Sequence, residues 1–239
     1  MRIRAGTSGW SYAAWKGRFY PPDLPAHRML PAYAERLDTV EVNATFYRMP
    51  RPATLADWRE QVPDGFRFAL KAPQRITHLA RLIGAEDAVR AFERAAAELG
   101  AKLGPLLFQL PPSVKQDLPR LRDFLALLPR GARVAFEFRE PGWFHDSVLA
   151  TLSQAGAALC LADTEGGQTP LVATAGFGYL RLRRPDYDRG ALARWLDRIS
   201  AQPWAETYVF FKHEDEARGP ELAQILNELW SGAGTAAHP

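Results

Sequence analysis

The chain has 239 residues, 47% of them apolar and 24% charged, with a net charge of +3 and one cysteine. That length supports one large core, and the mild positive balance accommodates an anionic ligand without the clustered basic face that would indicate nucleic acid. Cys160 alone excludes an intrachain disulfide and suits a reducing compartment; no run approaches the roughly 18 apolar residues of a membrane span, so a cytoplasmic address and no membrane partner are expected.

In chain order, Met1–Gly6 reads as a strand and not as a signal peptide, with the strand pattern running over Ile3–Thr7. The long connection Gly9–Pro22 carries Trp10, Tyr12, Trp15, Phe19 and Tyr20, and the next helix, Leu24–Leu37, has Leu30, Tyr33, Ala34 and Leu37 at helical spacing. A strand is predicted over Thr39–Asn43, then a helix over Pro52–Gln61 with proline in its first turn. Strand Arg67–Lys71 leads into a second long connection, Ala72–Ala85, which holds His78. Helix Glu86–Lys102 places Val89, Phe92, Ala96 and Leu99 on one stripe, and strand Leu106–Leu110 follows. Asp117 caps a helix running to Leu128. Strand Arg133–Arg139, helix Asp146–Ala155 and strand Ala157–Ala162 come next; after the last, glycine-rich Thr164–Pro170 stands where a helix is due. Strand Gly178–Leu182, helix Asp188–Ser200, strand Thr207–Lys212 and helix Glu216–Trp230 complete the set, and the small polar residues of the C-terminus are expected to fray. The domain expected is a single one over 1–232 with a flexible tail over 233–239.

Eight strands alternating with helices imply parallel pairing through right-handed crossovers. A doubly wound open sheet is the runner-up, but no glycine-rich dinucleotide fingerprint follows the first strand. The expected fold is therefore a single-domain α/β structure, a (β/α)8 TIM barrel with its site at the C-terminal mouth.

Strand alternation then nominates site residues. Glu41 and Asn43 share one face, as do Ala69 with Lys71 and Glu137 with Arg139, while the opposite face is Val, Phe or Leu. Glu41, Glu137 and Asp163 are acids expected near the mouth, able to transfer protons or to pair structurally. Lys71, Arg139 and Arg181 are the matching cations, suited to phosphate or carboxylate. Lys71 could serve as a Schiff-base nucleophile only with a lowered pKa. His78 and His213 are the histidines near mouth positions, and the chain has no HxH or HExxH spacing, so no metal site is expected. Asn43, Gln109 and Tyr179 either orient a ligand or fill the top layer of the barrel. Trp10 and Tyr47, next to strand ends, are the aromatics expected in the cleft.

Several of these residues sit in longer motifs. They are Gly6-Thr7-Ser8-Gly9-Trp10; Tyr12 with Trp15 and Gly17; Phe19-Tyr20-Pro21; Glu41-Val42-Asn43-Ala44-Thr45-Phe46-Tyr47; Phe68-Ala69-Leu70-Lys71-Ala72-Pro73; Ile76-Thr77-His78; Leu107-Phe108-Gln109-Leu110-Pro111-Pro112; Glu137-Phe138-Arg139 with Trp143; and Tyr179-Leu180-Arg181. With them the chain resembles the YecE-like family, known as domain-of-unknown-function family 72, in order along nearly its whole length. The resemblance implies a TIM barrel and supplies no activity. Two departures stand out: Lys212-His213-Glu214 replaces the Asn-Asn of many members after the last strand, and Ala44 replaces a common serine.

The expected function is acid–base or hydrolytic chemistry on a small or oligomeric anionic substrate, as a hydrolase, lyase or isomerase without a cofactor. Glu137, His78 and Lys71 would be catalytic. Glu41, Asn43, Gln109, Arg139, Asp163, Tyr179, Arg181, Trp10 and Tyr47 would bind the substrate. The alternatives are a metal-dependent phosphoesterase acting on nucleic acid or sugar phosphate, and a non-catalytic ligand-binding protein.

Overall fold

The structure, a computed structural model, describes residues 1–129, 131–212 and 216–235, with side chains through Gly232. Eight parallel strands close on themselves: β1 (Arg2–Ser8), β2 (Thr39–Val42), β3 (Arg67–Lys71), β4 (Leu103–Gln109), β5 (Val134–Glu137), β6 (Ala158–Thr164), β8 (Phe177–Leu182) and β9 (Glu206–Phe211). The ring runs from β1 through β6 in chain order, then β8 and β9, and β9 returns to β1 in register Arg2 to Glu206. The short β7 (Gly167–Gln168) turns back antiparallel on β6, in the glycine-rich stretch where the sequence shows no helix.

The remaining crossovers carry helices. These are α1 (Met29–Ala34), α2 (Ala44–Tyr47), α3 (Pro52–Glu60), α4 (Glu86–Ala96), α5 (Leu118–Leu127), α6 (Asp146–Ala155), α7 (Arg189–Ser200) and α8 (Arg218–Thr235). Caps fix where several of them start. Asp117 accepts from the Arg120 amide at 3.0 Å ahead of α5, and Asp188 from the Ala191 amide at 2.6 Å ahead of α7. The expected tail is helical as far as Thr235, and residues 236–239 lie outside the described residues. No helix among the described residues is long and apolar enough to cross a membrane.

Alternation along the strands sorts side chains into two cores. The outer face of the barrel carries Val40, Phe68, Leu70, Phe108, Phe136, Leu161 and Val209, packed against helices; Phe108 stacks on Phe136 at 5.4 Å and meets Phe124 of α5 edge-on at 5.2 Å. The inner face has its own core of Ala69, Leu107, Ala135, Ala158, Cys160, Tyr179, Tyr208 and Phe210. Small residues on β3, β5 and β6 leave room for the aromatic rings that β8 and β9 send across the barrel.

Polar layers close this interior at both ends. At the N-terminal end Arg4, 1% exposed, donates to Glu206 at 2.5 Å and to Asp38 at 2.6 Å, and Tyr208 donates to Glu206 at 2.8 Å. That end is a structural plug. The C-terminal end holds a different set.

Candidate functional site at the barrel mouth

The centre of the C-terminal layer is Arg181 on β8, 2% exposed. Its Nη2 donates to Glu41 Oε1 at 2.8 Å, and its Nη1 donates to Glu137 Oε2 at 2.5 Å and to Gln109 Oε1 at 3.4 Å. Glu41 also accepts from Ser8 Oγ at 2.8 Å and from the Tyr179 hydroxyl at 2.8 Å. Glu137 Oε1 accepts from Arg139 Nε at 3.0 Å. One guanidinium thus bridges carboxylates from β2 and β5 across the barrel. This is possible because residues two apart share the inner face, so Glu41, Gln109, Glu137, Tyr179 and Arg181 all converge.

Around this frame stand Lys71, Arg139 and His78. Lys71 Nζ lies 4.0 Å from the centre of the Phe46 ring, and among the described residues it has no ion-pair partner. Phe46 also meets His78 edge-on at 4.8 Å, and His78 Nδ1 lies 2.9 Å from Thr77 Oγ1. His78 is held on one turn of π-helix, Arg75–Leu79, closed by the Ala80 amide donating to the Arg75 carbonyl at 3.0 Å. Arg183, two residues beyond Arg181, belongs with these cations: its Nη1 is buried and has no hydrogen-bond partner among the described residues.

The charges explain one another. Burial pushes the Glu137 carboxyl up, but Arg181 and Arg139 outweigh it and hold it down at about 2. Glu41 is likewise below its ordinary value, burial being overcome by Arg181, Arg183 and the hydrogen bonds from Tyr179 and Ser8. Lys71 is lowered to about 8, first by burial and then by the neighbouring Arg181. His78 is lowered by burial and by Lys71 and Arg139, and Arg183 by burial and by Arg181. Among the described residues two carboxylates therefore face four cations, Lys71, Arg139, Arg181 and Arg183, which leaves two positive charges in excess.

Several expected site residues lie elsewhere. Asn43 was expected beside Glu41 by alternation, but β2 ends at Val42 and Asn43 has helical backbone angles, φ −82 and ψ −21. The alternation rule needs extended backbone; without it Asn43 turns away and lines an outer cleft together with Trp10. Asp163 was also expected inward. It follows Leu161 on the outer face of β6 and accepts from the Tyr187 hydroxyl at 2.6 Å, while Cys160 takes the inner face. Tyr47 is 75% exposed and touches Phe46 at 5.0 Å. His213 and Glu214 lie outside the described residues. Among the described residues no three of His, Cys, Asp and Glu group as metal ligands. Ser8 and Arg183 were missed by the sequence reading, although Arg4-Gly6-Ser8 and Tyr179-Arg181-Arg183 continue the same alternation.

Fold and layering define a (β/α)8 barrel with a polar C-terminal mouth, whose described residues include more cations than acids. The family model described as "Protein of unknown function DUF72" matches residues 4–239, and the chain belongs to that family. It is 29% identical to the UPF0759 protein YecE of Escherichia coli K12, over 95% of this chain and 92% of that protein. It is also 29% identical to the UPF0759 protein YunF of Bacillus subtilis, over 59% of this chain and 52% of that protein. The crystal structure of a DUF72 family protein from Thermotoga maritima superposes with TM-score 0.79 at 22% identity, covering 97% of this chain and all of that one. One from Enterococcus faecalis superposes with TM-score 0.78 at 19% identity, covering 96% and 95%. These likenesses agree on the fold.

Proposed function

We propose that the protein is an enzyme that binds a small anionic substrate, bearing phosphate or carboxylate, at the barrel mouth and moves a proton to or from it with Lys71. The observation that carries this reading is the unbalanced charge. Buried cations are costly unless paired, and Arg181 already occupies both carboxylates. Among the described residues Lys71 and Arg183 have no acid of their own, and an anion at the mouth would pair them. Arg139, bonded through Nε to Glu137, keeps the rest of its fork for the same ligand.

The roles then separate. Glu137 and Glu41 are positioning residues: their oxygens are bonded, and a carboxylate held near or below its ordinary range is a poor base at neutral pH. Lys71 is better matched to proton transfer, since an amine with a pKa of about 8 is free base in roughly one molecule in four at pH 7.5. The metal-dependent phosphoesterase reading gains no support, because the acids it would need are bound to arginine.

Binding of inorganic phosphate, measured by calorimetry and by thermal shift at low ionic strength, tests the reading. Phosphate should raise the melting temperature where equal ionic strength of chloride does not, and Lys71→Met and Arg183→Leu should each remove most of the effect. Equal responses to phosphate and chloride, or unchanged binding in both variants, would remove the anionic substrate. A bound metabolite recovered chemically unchanged after long incubation with the protein would replace the enzyme by a binding protein.

A further inference from the structure

A cavity of about 500 Å³ opens on the outside of β2, between the β1–α1 connection and α3. The face that α3 turns to it is unlike the apolar stripe by which a helix ordinarily packs on a barrel. Thr54, Asp57, Trp58 and Gln61 recur there at i, i+3, i+4 and i+7, and α3 buries only Leu55. Across the cavity, Trp10 meets Trp58 in a right-angled corner, ring centres 4.9 Å apart and planes at 89°. Both rings are half-buried, which leaves indole surface to the cavity. The corner is fixed from behind. Trp58 stacks on Phe68, the Trp10 carbonyl accepts from the Tyr20 hydroxyl at 2.7 Å, and Tyr12 donates to the Ser8 carbonyl at 2.8 Å. Gly9, at φ +99, makes the turn that sets Trp10; a Cβ there would lie 2.3 Å from the Tyr12 hydroxyl.

The polar groups around this corner are uncommitted and of both kinds. Among the described residues the side chains of His27, Thr54, Asp57 and Gln61 make no hydrogen bond to the protein, and neither does either indole N–H. The indoles donate, the Asp57 carboxylate accepts, and the threonine hydroxyl, the glutamine amide and the imidazole do both. Among the described residues no lysine or arginine lines the cavity, so an anion is disfavoured here, in contrast to the mouth. A ligand that answers these walls needs an apolar face for the indoles and an edge of groups that donate and accept alike. A pyranose has both: C–H groups on its ring faces and hydroxyls around its rim. A quaternary ammonium would fill the aromatic corner but leave Thr54 and Gln61 unanswered.

We infer that this cavity is a binding site for a neutral sugar, a pyranose whose C–H face lies in the Trp10–Trp58 corner while its hydroxyls bond Asp57, Thr54 and Gln61. Apolar contact with the indoles supplies affinity, and the α3 side chains supply orientation. Asp57 offers two acceptor oxygens, which suits a pair of adjacent hydroxyls. The site is distinct from the mouth, so its occupancy does not depend on what the mouth binds.

The probes are the methyl β-pyranosides of glucose, galactose and mannose, and N-acetylglucosamine, set against glycerol, choline and 9-methyladenine. Binding is followed by the indole ¹H–¹⁵N resonances of Trp10 and Trp58, assigned from Trp→Phe variants, and by saturation transfer from the protein to the ring protons of the sugar. At least one of the sugars should shift both indoles with a dissociation constant of about 0.5–10 mM, and saturation should favour the protons of one ring face. Asp57 is exposed and unpaired, so Asp57→Ala should keep the native unfolding temperature and weaken that sugar about tenfold or more. Glu60→Ala, on the same helix but outside the cavity, should change binding by less than about twofold. No indole shift with any of the sugars at roughly 50 mM would overturn the inference. So would equal shifts from glycerol, tighter binding of choline or 9-methyladenine than of every sugar, or unchanged sugar binding in Asp57→Ala.

Discussion

Replacing Lys71 by methionine should stabilise the protein. The ammonium is mostly buried at the end of β3, near Arg139 and Arg181, and its pKa falls from 10.5 to about 8. A lowered amine pKa means that the folded state binds the proton less tightly than the unfolded chain does. The native state is therefore penalised wherever both hold the proton, below about pH 8, and the penalty is relieved as pH rises from about 8 towards 10.5. The full shift corresponds to about 3 kcal/mol, which solvent at the mouth reduces to about 1–2 kcal/mol. Methionine conserves the stem, restores contact with the Phe46 ring and forfeits a cation–π attraction of about 0.5–1 kcal/mol. The net expectation at pH 7 is a gain of about 1 kcal/mol, or about 2–4 °C in melting temperature for a domain of this size. Thermal unfolding from pH 6 to 10 in a buffer without multivalent anions measures it. The gain should shrink above pH 8 and invert in concentrated phosphate, where the native protein gains what the variant cannot. A variant less stable than the native protein at pH 7 without phosphate would refute the reasoning: Lys71 would then be a paired structural cation and not the unbalanced charge at the mouth.

Glu137→Gln should be costly, about 3–5 kcal/mol, because it leaves Arg181 with half of its compensation; urea unfolding would read it, and a loss below 1 kcal/mol would show that the bridge is not needed. Native stability should fall with acid as Glu137 passes from its unfolded value of about 4.5 towards about 2, since a depressed carboxyl contributes fully above the unfolded pKa and loses that contribution below it; in Glu137→Gln that part of the pH dependence should vanish. Crystals soaked in sulfate should show an anion touching at least two of Lys71, Arg139 and Arg183, and anions confined to the outer helices would count against the mouth. Elemental analysis of purified protein should find no stoichiometric zinc, manganese or iron; one metal per chain, lost on changing His78 or Glu137 to alanine, would promote the phosphoesterase.

The barrel was legible because its strands are short and their two faces chemically distinct. In Val134–Glu137 every second residue is large and apolar, and Phe136 can go only outward against Phe124, which forces Glu137 inward. The same logic placed Glu41, Gln109, Tyr179 and Arg181. It misplaced Asn43 and Asp163 for opposite reasons. Asn43 lies one residue past the end of β2, where the chain has already turned helical, and the mark of that turn is Asn43 itself, a residue favoured at helix starts. Asp163 remains on a strand, but its place follows from Cys160 facing inward, and Cys160 and Leu161 are too alike in polarity for the sequence to say which of them does. Pairing was not legible at all. Alternation gathers acids and cations in one layer without saying that Arg181 takes both carboxylates, and that partition decides which groups stay free.

The same partition sets the pH profile expected of the mouth. With Glu137 at about 2 and bonded at both oxygens, and Glu41 also below its ordinary value, neither of these two carboxylates should titrate between pH 5 and 9. If Lys71 in its free form takes the proton, activity on an anionic substrate should rise with pH through about 8 in the free enzyme. Bound substrate supplies the missing negative charge, so the value seen in the complex should lie higher than in the free protein. His78, lowered from its ordinary value by burial and by Lys71, should be neutral around pH 8, and His78→Gln should leave the Lys71 limb in place. Competitive acetylation of Lys71, quantified by peptide mass spectrometry against pH, reads its titration without any substrate. A midpoint near the ordinary 10.5 would show that the amine is solvated, and proton transfer would then have to be sought outside this cluster.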